Sequence, residues 1–161
     1  MARIKRTRRG RFQLRLPPEE RDVLRQLAGD LRDLLGTEDP SLRRLFPPGD
    51  ASDPHSDAQY RALVKDDLAA QRLEALETFE RTIDAPEVDE EQLSAWLGVM
   101  NDLRLVLGTR IEVTEEMNEK GLPTTDPRAE AFDLYRYLTW IEWQLVEALA
   151  ETLPRRGAGA E

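Results

Sequence analysis

Four long stretches of the chain carry apolar residues at helical spacing, and they predict four helices. The first begins at Pro18 and ends near Gly36, because proline suits a first helical turn and glycine suits a helix end. The second runs from about Asp57 to Ile83. The apolar positions that define these two helices are Val23, Leu24, Leu27, Leu31, Leu34, Leu35, Val64, Leu68, Leu76, Phe79 and Ile83.

The third and fourth helices have clearer ends. Asp89 and Gln92, three residues apart, match a capping box, so the third helix opens there, after the loop DAPEVD, and closes at Gly108. The fourth opens at Asp126 and runs to about Leu153. Their apolar positions are Leu93, Trp96, Leu97, Met100, Leu103 and Leu107 in the third helix, and Leu134, Leu138, Ile141, Leu145 and Leu149 in the fourth.

A different pattern opens the chain. Phe12, Leu14 and Leu16 alternate with polar residues, which predicts a strand, and the segment before them pairs with it around a loop at Arg8-Arg9-Gly10. The combined patterns predict a mainly α protein, a compact bundle of about four helices with a short N-terminal β-hairpin.

The length of 161 residues suits one domain. We expect that domain to cover residues 1–153, with a basic hairpin arm at 1–16 and a variable loop at 37–57, which is rich in proline and glycine. The small, polar residues 154–161 predict a disordered tail.

Charge is segregated along the chain. The first fifteen residues hold seven positive charges and no acidic residue, whereas the remainder holds 16 basic and 32 acidic residues. Such separation is typical of an arm that binds DNA or an acidic protein surface, and also of an edge hairpin whose charges oppose aggregation. The overall charge of −9 disfavours indiscriminate binding to nucleic acid or to an anionic membrane. The candidate residues for binding nucleic acid or a partner are Arg3, Lys5, Arg6, Arg8, Arg9 and Arg11.

Residues suited to catalysis are scarce. The chain has no cysteine, so it has no disulfide, thiolate nucleophile or cysteine-based zinc site, and its single histidine, His55, lies in the predicted loop. The phosphate-binding patterns GxxxxGK[ST] and GxGxxG are absent, and the acidic run at 112–119 lacks the calcium-loop pattern. We therefore predict no enzymatic activity and no catalytic, cofactor or metal site.

Long apolar runs are also missing. No apolar run approaches the length of a membrane span and no secretory signal opens the chain, so we expect a cytoplasmic protein without a membrane partner.

Two features of the third and fourth helices depart from simple amphipathic patterning. Arg104 falls within the apolar stripe of the third helix and needs a carboxylate, for which Glu142 is the first choice and Asp133 the second. In the fourth helix, aromatic residues lie away from the main stripe, so this helix is either central or covered by a partner, such as a second copy in a homodimer or a regulatory protein. These interface candidates are Tyr137, Trp140 and Trp143.

Three segments carry a family resemblance. In order and spacing, RIKRTRRGRFQLRLPPEE, DEEQLSAWLGVMNDLRLVLGTRIEVTEE and YRYLTWIEWQLVEAL resemble the actinobacterial family DUF2017, and WLGVMNDLRLVLGTR followed by TEE is the most specific part. The resemblance places Asn101, Asp102 and Arg104 among the shared positions. With Glu142, we expect them to form one structural polar cluster that holds the helices in register.

The resemblance also implies a function. The family is typically encoded beside the Clp protease adaptor and includes an oxidative-stress transcriptional regulator that works with an alternative sigma factor. That regulator is thought to sense oxidant through cysteines, which this chain lacks. The implied function is a non-enzymatic transcriptional regulator of the stress response, acting through promoter DNA, through a sigma factor of RNA polymerase, or both. The alternative is an adaptor or accessory protein in Clp-dependent proteolysis.

Overall fold

The computed structural model describes residues 2–46 and 54–153. These residues form five α-helices and three short strands, which confirms the predicted mainly α fold with an N-terminal hairpin. The elements in chain order are β1 (Ile4–Arg6), β2 (Phe12–Leu14), α1 (Pro18–Leu34), a 3-10 helix (Pro40–Leu42), α2 (Pro54–Thr82), β3 (Glu87–Val88), α3 (Glu90–Arg110), α4 (Glu115–Lys120) and α5 (Ala129–Ala150).

The hairpin forms part of a three-stranded antiparallel sheet. Ile4 pairs with Leu14 across β1 and β2, and the connecting turn contains Gly10 at a φ of +77°, a conformation that glycine adopts without steric cost. Phe12 pairs with Val88 of β3, which belongs to the segment predicted as a loop. The strand β2 is therefore central in the sheet, because a two-residue strand of a different part of the chain covers its second edge.

The arm contributes to the main hydrophobic core. Four of its large apolar side chains are buried and pack in one cluster with those of the helices. The alternation of apolar and polar residues predicted this inward face correctly. The buried arm residues are Ile4, Phe12, Leu14 and Leu16.

The central helix of the bundle is α3. It packs mainly against α5 and α2, and its buried residues lie on most sides of its axis, including Val99 and Val106 outside the predicted stripe. Its start is the predicted capping box, in which Asp89 accepts a hydrogen bond from the backbone N–H of Gln92 at 2.8 Å and the Gln92 side chain accepts one in return. The helix α5, which the sequence left as either central or partner-covered, keeps one exposed face.

Some helix boundaries differ from the prediction. The helix α2 begins at Pro54 and not at Asp57, so it takes in the end of the predicted variable loop and places His55 in its first turn. The start of that loop contains the 3-10 helix and buries Leu42 and Leu45 against the core. The remaining loop residues 47–53 and the predicted tail 154–161 lie outside the described residues.

The predicted stop at Gly108 is wrong. Gly108 is a buried residue within the helix. It lies so close to α5 that a Cβ atom added there would be 3.0 Å from the Tyr135 ring. The helix continues to Arg110, and in the turn that follows it the residue with a positive φ is Glu112. The short helix α4 then follows, capped by the Thr114 side chain. The helix α4 was not predicted, because its six residues carry almost no apolar pattern.

None of the helices in the described ranges is both long enough and apolar enough to cross a bilayer.

Candidate functional site

Two basic residues of the arm are paired with carboxylates of the protein itself. The Nε atom of Arg3 donates to Glu20 of α1 at 3.0 Å, and the Nε atom of Arg11 donates to Glu87 of β3 at 3.3 Å. These contacts hold the two ends of the hairpin against the body. Both residues were predicted to bind a partner, and the structure also gives them an internal role.

The hairpin presents unneutralised positive charge on strand β1, at Lys5, and in its turn, at Arg8 and Arg9. Lys5, Arg8 and Arg9 are exposed, and within residues 2–46 and 54–153 their side chains make no ion pair. Arg6 donates from Nη1 to the backbone carbonyl of Glu151 at 3.2 Å, a contact that leaves its charge unneutralised. We call Lys5, Arg8 and Arg9 the basic tip.

Arg21 of α1 anchors the hairpin to the helices through hydrogen bonds to backbone carbonyls. Its guanidinium donates to the backbone carbonyls of Leu14 at 2.8 Å, Leu16 at 3.0 Å and Ala85 at 3.2 Å, and to that of Ile83. This side chain ties β2 to the ends of α1 and α2. Nothing in the sequence distinguishes it, since it sits in a run of charged residues that reads as a solvent-exposed helix start.

Arg3 also joins the arm to α5. Its backbone N–H donates to Oε1 of the buried Gln144 at 2.5 Å, and its guanidinium lies 5.4 Å from the centroid of the Trp140 ring. A cation above an aromatic face is attracted by the ring quadrupole. The base of the arm and the aromatic surface of α5 are thus one continuous structure.

The exposed face of α5 is apolar at its centre. Trp140, Trp143 and Val146 are 39%, 56% and 47% exposed, and we call them the tryptophan ridge. The third predicted interface residue, Tyr137, is half-buried and packs against the core instead. Its hydroxyl is buried without an aligned hydrogen bond, and burial together with the nearby Glu20 raises the pKa of this group above its usual range.

Open clefts flank the tryptophan ridge. One, of about 350 Å³, lies between the ridge and β1 and is bordered by the carboxylates of Glu147 and Glu151. The other, of about 480 Å³, lies on the side of α4 and is bordered by the guanidinium groups of Arg104 and Arg136. Two acidic residues therefore line one cleft and two arginines the other, and of these arginines Arg104 is paired with Glu142.

The predicted pair of Arg104 and Glu142 is present. The Nε atom of Arg104 lies 2.6 Å from Oε2 of Glu142, and Asp133 makes no ion pair with it. The Nε–H bond does not point at that oxygen, so the two groups form an ion pair without a well-aligned hydrogen bond. Asn101 accepts from Nη2 of Arg104 at 3.4 Å and completes this group between α3 and α5.

The fourth residue predicted for this cluster, Asp102, belongs elsewhere. It faces α2, where its Oδ1 lies 3.6 Å from Nη1 of Arg72, and Arg72 also donates to the Leu45 carbonyl at 3.1 Å. The prediction of one cluster is wrong because adjacent helical residues lie about 100° apart and contact different neighbours. Burial raises the pKa of Asp102 to about 6, and the positive charge of Arg72 acts in the opposite direction.

The basic tip and the tryptophan ridge consist of exposed basic and apolar residues, which are side chains suited to binding more than to catalysis. Among the side chains that the structure describes, which leave out those of residues 54–58 and 61, no three histidine, aspartate or glutamate side chains are grouped so that they could hold a metal ion. The backbone of His55 lies in α2, but its side chain is outside the described part of the protein.

Comparison with known proteins gives a consistent group of relatives. A protein of Mycobacterium bovis and one of Mycobacterium tuberculosis, both named oxidative stress regulator AosR, are 30% identical to this chain over 86% of its length and 82% of theirs. A Mycobacterium leprae protein, also named after AosR, is 34% identical over 71% of this chain, and the alignment spans 60% of that protein. No solved structure matches this chain.

The family comparison covers nearly the whole sequence. The family model of the domain of unknown function DUF2017 matches residues 1–149, which include the hairpin arm, the Arg104 group and the tryptophan ridge. The chain therefore belongs to the DUF2017 family.

Proposed function

We propose that this chain is a non-enzymatic transcriptional regulator of the oxidative stress response, which contacts DNA phosphates through its basic tip. The observation that carries the proposal is the mounting of Lys5, Arg8 and Arg9 on a hairpin whose apolar face is part of the core. The names of the mycobacterial relatives supply the stress-response context.

The attachment of the basic tip to an ordered hairpin favours binding to DNA. A segment that is already ordered loses less conformational entropy on association than a flexible basic tail. Arginine side chains suit phosphate because their planar guanidinium presents two donors to two oxygens. Since the protein as a whole carries a charge of −9, attraction to DNA acts only near the tip and the rest of the surface opposes non-specific binding.

The stress signal reaches this chain through another molecule in this proposal. The chain has no cysteine and therefore no thiol that oxidant could convert into a disulfide. A sigma factor of RNA polymerase is the proposed protein partner, because it would bring the regulator to promoters under the conditions in which that factor is active.

A salt-dependent DNA titration tests the phosphate contact. Fluorescence anisotropy of labelled promoter DNA would be measured with the wild type and with Arg8→Ala/Arg9→Ala at several salt concentrations. Each phosphate contact adds about 0.9 to the slope of log K against log salt, so the variant should lower the slope by about 1.8. The matched control is Arg43→Ala/Arg44→Ala, which removes two exposed arginines at another site and should leave the slope unchanged.

The opposite result is equally informative. A folded wild type that binds no DNA at low salt, or equal slopes for the two double variants, would refute the phosphate contact. Purified sigma factor, RNA polymerase and Clp protease subunits would then be tested for retention on the immobilised chain. Retention of Clp subunits alone would favour the alternative function of an adaptor in proteolysis.

A further inference from the structure

The exposed face of α5 is charged at both ends and aromatic in the middle. Arg136 lies one helical turn before Trp140, and Glu147 lies one turn after Trp143. Both charged residues are exposed, and neither makes an ion pair within the described ranges. The order along this face is therefore positive, aromatic and negative.

We propose that this face binds a second copy of the same chain, with α5 antiparallel to α5 of the partner copy around a two-fold axis. Placing the axis midway between Trp140 and Trp143 sets each of these rings opposite the other ring of the second copy. The same operation sets Arg136 of each copy opposite Glu147 of the other. One symmetric arrangement thus buries both tryptophans and forms two new ion pairs.

The charge pattern favours a second copy of the chain over other partners. A uniformly basic or uniformly acidic partner would meet attraction at one end of the face and repulsion at the other. A second copy in the antiparallel orientation meets an opposite charge at both ends. Aromatic side chains at the centre of such a surface are typical of the residues that dominate association energies.

Internal contacts order part of the surface before binding. The Trp140 ring lies under the Arg3 guanidinium and 6.2 Å from the Tyr137 ring, measured between ring centroids. A ring held in this way loses little rotational freedom on association. The open clefts on both sides of the ridge leave space for the flanking side chains of the second copy.

Charge exchange tests the proposal. Sedimentation velocity over a range of concentrations would give the dissociation constant of the full-length dimer for the wild type, Arg136→Glu, Glu147→Arg and the double variant. We expect each single change to weaken the dimer about tenfold or more, because it sets like charges opposite each other twice. The double variant should return to within about threefold of the wild type, since both pairs are re-formed with reversed sign.

Two results would overturn this proposal. A wild type that stays monomeric at every concentration would exclude the dimer, and a dimer that the charge exchanges do not affect would place the interface elsewhere. At a concentration at which all four proteins are monomeric, far-ultraviolet circular dichroism and thermal unfolding should be the same, because both charged residues are exposed. Arg8→Ala/Arg9→Ala should keep the wild-type dimer, which separates a failure here from a failure of the DNA proposal.

Discussion

At the scale of single residues, the buried Asp102 gives a pH dependence with a definite sign. Burial raises the pKa of Asp102 in the folded protein to about 6, above its ordinary value of 3.8. Between these two values the folded state binds more protons than the unfolded state. The free energy of unfolding therefore falls as the pH rises through this window, by about 3 kcal/mol from this group alone.

We expect Asp102→Asn to remove this contribution. Urea unfolding at several values between pH 4 and pH 7 would give the difference in unfolding free energy between the wild type and the variant. That difference should shift by about 2 kcal/mol against the wild type between pH 4 and pH 7, which is most of the full effect. The control is Asp133→Asn, which changes an exposed carboxylate. A difference for Asp102→Asn that does not vary with pH would contradict the prediction.

The two half-buried arginines on either side of α3, Arg72 and Arg104, show what sequence can and cannot reveal about such residues. Arg104 was recognisable because it interrupts an apolar stripe, and Glu142 followed because it lies at the edge of the stripe on the next packed helix. Arg72 was missed, because its partner Asp102 was assigned to the wrong side of α3. A helical position gives an angle, but the neighbour at that angle depends on how the helices are arranged.

At the scale of elements, two glycines of the same helix should respond differently to alanine. Gly98 is exposed, and a Cβ atom added there would have no neighbour within 4 Å, whereas one added at Gly108 would meet the Tyr135 ring at 3.0 Å. Alanine is favoured over glycine in a helix by about 1 kcal/mol. We expect Gly98→Ala to gain about that amount, and Gly108→Ala to gain less or to destabilise, because the ring must move.

Chemical denaturation of both variants would check this difference. Equal gains at the two positions would show that the Tyr135 ring moves at no cost and that the close approach of α3 and α5 is not tight. Each substitution serves as the control for the other, because both lie within α3 and change helix propensity equally.

Helices and strands were predicted well where the sequence carries a specific capping motif or a long apolar repeat. The start of α3 was predicted to the residue because its capping box depends on side chains three positions apart. The strand β3 and the helix α4 were missed, because two and six residues are too few to show a period. For α5 the sequence left two alternatives, a central helix or a helix covered by a partner. The structure shows that the central helix is α3.

At the scale of the whole molecule, the arm is inseparable from the body. Deleting residues 1–16 would remove four buried apolar side chains, each worth about 1.5–3 kcal/mol if it is fully buried. That loss is comparable to the total stability of a typical domain, about 5–15 kcal/mol. We expect the truncated chain to lose its cooperative thermal transition.

The point variant separates charge from core packing. Arg8→Ala/Arg9→Ala changes only exposed side chains and should unfold within about 0.5 kcal/mol of the wild type. Circular dichroism melting of the three proteins would decide the matter. A truncated chain that melts cooperatively at the wild-type temperature would show that the hairpin is an appendage and not part of the core.

The hydrogen bond from Arg3 to Gln144 joins residues 141 positions apart in the sequence. A ribosome makes Arg3 141 residues before Gln144, so this bond closes only after that part of α5 has been made. Contacts between residues far apart in sequence form slowly, because the intervening chain must first be ordered. The positively charged strand β1 therefore lacks this contact while the residues between Arg3 and Gln144 are made, and a chaperone or nucleic acid can bind it during that interval.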